Sequence, residues 1–282
     1  MCIVVTFVLK AIASLVPLDA AVSKAVTILQ DMIVSMTGPA FLSQPIETLD
    51  ISLTPPKFQF NLIHGSLMTV RELLWNIKRN CNAATDSAFV HSLLVSVQTS
   101  IVPALKRTIV FLRNASCAAV HLELLKVLLL IRDMHSDSSP FVDVVTDLIL
   151  HACANALRWN STEKRCVAID STKEHTPFDV LLWRCALEEM VWAALCWPKL
   201  EQSDFSQLQS RPVDFIVRYL DSSISEVREG VLNGVIKSIQ SSRNRRYLAT
   251  CLDPVLWLKL LSRCYSEKEP PALHLTLFLL CR

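Results

Sequence analysis

A chain of 282 residues that is 51% hydrophobic, 19% charged and carries only four glycines has ample apolar surface to offset chain entropy. It also lacks the turn-rich alternating runs of a sheet protein, so the composition excludes disorder for most of its length and favours helices packed on helices. A net charge of +2 gives no global field that would commit it to nucleic acid or to a membrane surface.

Apolar residues recur at helical spacing nearly throughout. The opening run MCIVVTFVLKAIASLV lacks a basic leader, is interrupted by Lys10 and has no small-residue cleavage site after it. It reads as a core helix, broken by Pro17. Asp19 is placed to cap a second helix, which runs to Met36 and stops at Gly38-Pro39. Residues 37–57, with Pro45, Pro55 and Pro56, form an irregular connection, and a helix from about Phe58 to Arg79 follows. Further helices are predicted near Asp86–Thr99, Pro103–Arg113, Ser116–Met134 and Phe141–Trp159.

Residues 160–176 are polar and aperiodic and read as a loop, and 199–210 as a second polar link. Between them the spacing predicts a helix over Pro177–Trp197, and beyond them helices at Pro212–Leu220, Ser223–Gln240, Pro254–Tyr265 and from Pro271. Ser223 and Glu226 have capping-box spacing ahead of the stripe Val227, Val231, Leu232, Val235, Ile236 and Ile239. An Asp, then a Val-Arg pair, then such a stripe is typical of the second helix of a HEAT-type repeat. The expected architecture is all-α: one continuous HEAT/armadillo-like α-solenoid segment over 1–282, cut from a longer array at both ends. The greasy stretches Ala115–Ile131 and Val180–Trp197 carry His121, Glu123 and Lys126, or Arg184, Glu188 and Glu189, and do not read as membrane spans.

The pattern offers no catalytic site. There is no Gly-x-Gly-x-x-Gly, no phosphate-cradling loop, no Gly-x-Ser-x-Gly elbow and no His-Glu-x-x-His. No cofactor is expected, and no metal, since His151 and Cys153 lack partners at ligand spacing. Glu188 and Glu189 are adjacent and point about 100° apart on a helix, so they read as a solvated or loop-facing pair rather than a dyad. Ten cysteines contain no Cys-x-x-Cys pair, and Cys117, Cys153, Cys185 and Cys196 read as small buried hydrophobes of a reduced, cytoplasmic protein.

Three features remain. Gly230-x-x-x-Gly234 lies on a charged helix, which points to close packing of soluble helices or to tolerance on an exposed face. Arg243, Arg245 and Arg246 beside Tyr247 form a basic cluster that either terminates a helix in solvent or grips phosphate and stacks on a base. Gly65 sits inside a helix, where glycine costs about 0.5–1 kcal/mol relative to alanine. It is expected to admit a neighbouring helix, with His64 bonded across that contact or turned to a partner.

Three segments carry a family resemblance in order: AIASLVPLD, NLIHGSLMTVRELL and DSSISEVREGVLNGVI. Most specific are Asn61, His64, Gly65, Leu67, Val70, Leu73 and Leu74. Over most of residues 10–240 the chain resembles the thyroid adenoma-associated protein family, known also by a domain of formerly unknown function. The resemblance implies a large solenoid that holds the catalytic subunit of a tRNA 2′-O-ribose methyltransferase and helps present the tRNA anticodon loop. It implies a non-catalytic adaptor; no membrane partner is expected, because the greasy stretches do not read as spans. The family's Arg-Arg-Ser-Ala-Gly motif is absent and would lie upstream of Met1. A glycine-rich S-adenosylmethionine loop is also absent, in keeping with an adaptor. The alternative is a general scaffold of the same fold with no RNA role.

Overall fold

The computed structural model describes residues 2–45, 59–83, 87–113, 115–135, 140–163, 165–169, 174–210, 212–241 and 254–280. The chain is all-α apart from one short hairpin among these residues, and it divides into two compact units, Met1–Ala152 and Cys153–Arg282.

The first unit contains α1 (Cys2–Leu15), α2 (Leu18–Thr37), a single turn α3 (Ala40–Ser43), α4 (Phe60–Ala83), α5 (Ser87–Ser96), α6 (Val102–Phe111), α7 (Ala118–Arg132) and the start of α8 (Pro140–Leu157). α4 is its centre and packs on α1, α2 and α7. Ile63, Leu67, Val70, Leu74 and Ile77 recur at helical spacing and are fully buried, which is why this helix occupies the middle. Asn76 donates from Nδ2 at 3.0 Å to the carbonyl of Ala13, which also accepts from Val16 N–H, and so ties α4 to the end of α1.

Gly38 stops α2 as expected, with φ +82° and its N–H donating to the carbonyl of Val34 at 2.9 Å. Asp19 does not cap that helix. Pro17 holds the N-cap position, and Asp19 lies in the first turn, where its charge suits the helix dipole.

The two helices expected around residues 86–113 form one rod, Ser87–Phe111, joined by a π stretch over Val97–Ile101. Pro103 has no N–H to give, and the wider turn just before it, with Val102 N–H donating to the carbonyl of Val97, accommodates that loss without ending the helix. Arg107 ties the rod to the end of α3 by donating to the carbonyls of Phe41 and Gln44 at 3.3 and 2.8 Å. Ser87–Phe111 and Pro140–Leu157 are long and apolar enough to cross a membrane by length and composition. In the first, Val97, Ile101 and Leu105 are fully buried within the unit.

The second unit holds the hairpin β1 (Trp159–Asn160) and β2 (Arg165–Cys166), then α9 (Pro177–Cys196), a 3₁₀ turn (Pro198–Gln202), α10 (Ser206–Ser210), α11 (Pro212–Leu220) and α12 (Ser225–Gln240). It ends with α13 (Pro254–Ser266) and α14 (Pro270–Leu280). The 160–176 and 199–210 stretches are therefore not plain loops. Asn160 Oδ1 accepts from the N–H groups of Thr162 and Glu163 at 3.0 and 3.1 Å, closing an Asx turn. Trp159 then pairs with Cys166, whose N–H donates to the Tyr219 hydroxyl at 2.6 Å. In 199–210, Leu200, Phe205 and Leu208 are buried, and that apolar spacing folds the link into short helical turns.

The capping box expected at Ser223 and Glu226 does not form. α12 starts at Ser225 behind Ile224, and Ser225 bonds the Glu226 carboxylate instead. A capping box does start α9: the Thr176 side chain accepts from Asp179 N–H at 3.2 Å, and the Asp179 carboxylate accepts from Thr176 N–H at 2.8 Å. α12 packs along α9 and α14, and α13 packs on α11 and α14.

Candidate interaction surface

The NLIHGSLMTVRELL helix splits into two faces. Leu67, Val70, Leu73 and Leu74 are buried, Asn61 is exposed, and His64 and Gly65 are half-buried. The expectation that Gly65 admits a neighbouring helix is not met: a Cβ placed there meets nothing within 4 Å among the described residues. No hydrogen bond joins His64 to another helix among those residues either.

Close approach occurs at the other glycine pair. A Cβ on Gly230 would stand 2.5 Å from the Arg184 carbonyl oxygen, and one on Gly234 would stand 2.7 Å from Val191 Cβ and 2.8 Å from the Glu188 carbonyl oxygen. Gly230-x-x-x-Gly234 is therefore the seam through which α12 reaches the backbone of α9. The reading of Glu188 and Glu189 as a solvated pair is also corrected. Glu189 is 3% exposed and ion-paired with Lys237, which reaches Glu188 at 3.9 Å and lies over the Trp192 ring at 5.5 Å. Adjacency on the helix sends one carboxylate inward, and Lys237 compensates it.

The surface with most chemistry in the first unit runs along the far half of α4. Arg71, Trp75 and Lys78 stand at i, i+4 and i+7 on one face. Lys126, Leu129, Leu130 and Asp133 face them from α7 and its end, and Lys10 comes from α1. Together they line a groove of about 370 Å³. Arg71 is held by two buried carboxylates. It meets Glu72 at 2.7 Å and also pairs with Glu123, whose other oxygen lies 3.5 Å from Lys126 Nζ. Those glutamates are 4% and 3% exposed, so the guanidinium both compensates them and is fixed in direction by them. Lys78 lies 3.5 Å from Asp133 and 5.8 Å from the Trp75 ring centre. The indole of Trp75 remains 52% exposed.

Sequence reasoning passed over Trp75. The signal was present as a polar and aromatic stripe on the back of the motif helix. Its partners on α1 and α7 are far away in sequence, which hid the groove.

Arg243, Arg245, Arg246 and Tyr247 lie outside the described residues. No group of three or more His, Cys, Asp or Glu side chains is arranged to hold a metal ion among the described residues. His151 Nδ1 meets the carbonyl of Asp147 at 2.9 Å. No disulfide joins Cys81, Cys117, Cys153, Cys166, Cys185, Cys196 or Cys264 among the described residues; Cys153 and Cys196 are buried and Cys117 and Cys185 half-buried. Burial pushes the Cys81 thiol above its ordinary range, the opposite of nucleophile activation.

In the second unit Arg228 forms a buried ion pair. Its guanidinium donates to both Glu267 oxygens at 2.6 Å and to the carbonyl of Ser222 at 2.9 Å, with both side chains under a tenth exposed. Burial pushes the Glu267 carboxyl up. Hydrogen bonds from Arg228 and from the Glu269 N–H, with the charges of Arg228 and Arg263, outweigh it and hold the group below the ordinary glutamate range.

Compared with protein-family models, with curated proteins and with solved structures, the chain matches none.

Proposed function

We propose that this chain is a piece of a HEAT/armadillo-like α-solenoid that acts as a non-catalytic adaptor. In this reading it binds the catalytic subunit of a tRNA 2′-O-ribose methyltransferase, together with tRNA, and supports ribose methylation of the anticodon loop. The observation that carries the function is the NLIHGSLMTVRELL helix, in sequence order with AIASLVPLD and DSSISEVREGVLNGVI.

The solenoid reading draws support from how the last helices pair. α11 packs on α12 and α13 on α14, while α11 also meets α13 and α12 meets α14. Helix pairs that contact their successors layer by layer are the repeating geometry of such arrays. Both charged residues of the repeat signature reach the next pair. Asp221 accepts from Lys259 at 2.5 Å and Arg263 at 3.1 Å, and Arg228 holds Glu267.

Deletion of the full-length protein tests the role, with 2′-O-methylation of anticodon-loop riboses read site by site. Loss of methylation there, together with recovery of a tRNA ribose methyltransferase on the purified protein, is the expected result. Unchanged methylation sinks the reading. A general interaction scaffold of the same fold is the second reading, favoured by the Trp75 groove, which needs no RNA to be of use.

A further inference from the structure

We propose that the groove between α1, α4 and α7 binds a short acidic segment of a partner protein that carries one bulky apolar side chain. This stands apart from the tRNA reading, since such a segment is recognised whether or not ribose methylation follows.

The floor calls for an apolar group. Trp75 offers an indole that is 52% exposed, and Leu129 and Leu130 continue the surface across α7. Lys10, Lys78 and Lys126 also line the groove, and a lysine side chain pairs an apolar stem with a charged head. The groove, about 370 Å³, accommodates a large side chain and its neighbours rather than a folded domain. Aromatic anchors of this kind carry much of the energy at protein interfaces.

The rim calls for carboxylates. Glu72, which lines the groove, and the buried Glu123 are both taken up by Arg71, with Lys126 as a second neighbour of Glu123. Asp133 is matched by Lys78 at 3.5 Å. Lys10 is exposed and has no ion pair among the described residues, so the cations at this groove outnumber the carboxylates by one. Charge complementarity therefore favours a partner with one or a few separated carboxylates near Lys10 and Lys126.

The same charges disfavour a nucleic-acid strand. A continuous phosphate backbone along the groove would pass Asp133 and Glu72 in its lining, with Glu123 buried beside Arg71. Arg71, the donor best suited to phosphate, is already engaged by both of those glutamates. A peptide can place its negative charge at one end and its apolar group at the other.

The test uses the full chain and fluorescence anisotropy of a labelled short peptide with two glutamates at one end and a single leucine at the other. Controls are the same peptide with serine in place of that leucine and an oligouridylate of similar length. The leucine peptide is expected to bind, more weakly at higher salt. Serine for leucine in the peptide, or Trp75→Ala in the protein, should each weaken binding by about tenfold or more. A Lys10→Glu/Lys126→Glu double variant should weaken it and remove most of the salt dependence. All of these side chains are at the surface, and melting curves check that the variants remain folded. Equal binding of leucine and serine peptides overturns the proposal, as does wild-type affinity in Trp75→Ala or no binding at low salt. Tighter binding of oligouridylate that displaces the peptide assigns the groove to nucleic acid and overturns it as well.

Discussion

The His-Gly segment of α4 and the Gly-x-x-x-Gly segment of α12 place glycine inside a helix for opposite reasons. On α12 the missing Cβ is structural: the Arg184 and Glu188 carbonyls of α9 occupy the space a side chain would take. On α4 that space is open among the described residues, and the helix is held instead by the leucines, Ile63, Ile77 and Val70 on its other face. A glycine in a helix marks close packing only when the neighbouring backbone is there, and sequence alone does not separate the two cases.

The largest expected effect falls on the ion pair that joins α12 to the turn after α13. Arg228→Met leaves the buried Glu267 carboxylate without its guanidinium partner and with only the Glu269 N–H as donor, and we expect a loss of about 3–5 kcal/mol in the unfolding of the second unit by urea titration. Arg228→Met with Glu267→Met should recover much of that loss. A single variant within 1 kcal/mol of wild type, by order of magnitude, would mean that the pair is not closed in solution.

Next come the glycines themselves. Gly230→Ala and Gly234→Ala should each cost about 1–3 kcal/mol, because α9 must move away from α12 to admit a methyl group. Differential scanning of both variants checks this, and an unchanged melting temperature would remove the seam from the account.

Acid should act on the same region. Because the Glu267 pKa is held below the ordinary glutamate range, its contribution is present above that range and is lost as pH falls through the folded value. Unfolding measured through the acid range should show a slope that Glu267→Gln reduces. An identical slope in the variant would place the linkage on other carboxylates.

The smallest effect has the opposite sign. Gly65→Ala should stabilise the first unit by about 0.5–1 kcal/mol, since alanine limits the unfolded chain and meets no neighbour here. Destabilisation as large as that of Gly234→Ala would erase the distinction between the two helices.

Several elements were legible because local physics decides them. Gly38 before Pro39 ended α2, Pro177 opened α9 and Pro212 opened α11 where expected. Proline in a first turn loses no hydrogen bond, and a glycine at positive φ strains no Cβ, so these signals need no tertiary help. The Ser87–Phe111 rod was misread as two helices because Pro103 is normally a stop and its accommodation by a π turn depends on packing. The α12 cap was misplaced because Ser222, Ser223 and Ser225 are near-equivalent candidates. In the candidate groove, the stripe Arg71, Trp75 and Lys78 was readable on one helix, whereas Lys10 and Lys126 join it only in the folded unit.

By itself the sequence determined that this is a helical chain, where most helices run, and that the buried half of NLIHGSLMTVRELL forms part of a core. Hydrophobic periodicity and backbone chemistry act over a few residues and suffice for that. Tertiary structure alone decided that Gly230 and Gly234, rather than Gly65, mark a close helix seam. It also decided that Glu189 is buried against Lys237 and that Trp75 stands over a groove ringed by lysines. Each of these depends on which distant segment occupies the space beside a residue, and a one-dimensional pattern does not carry that information.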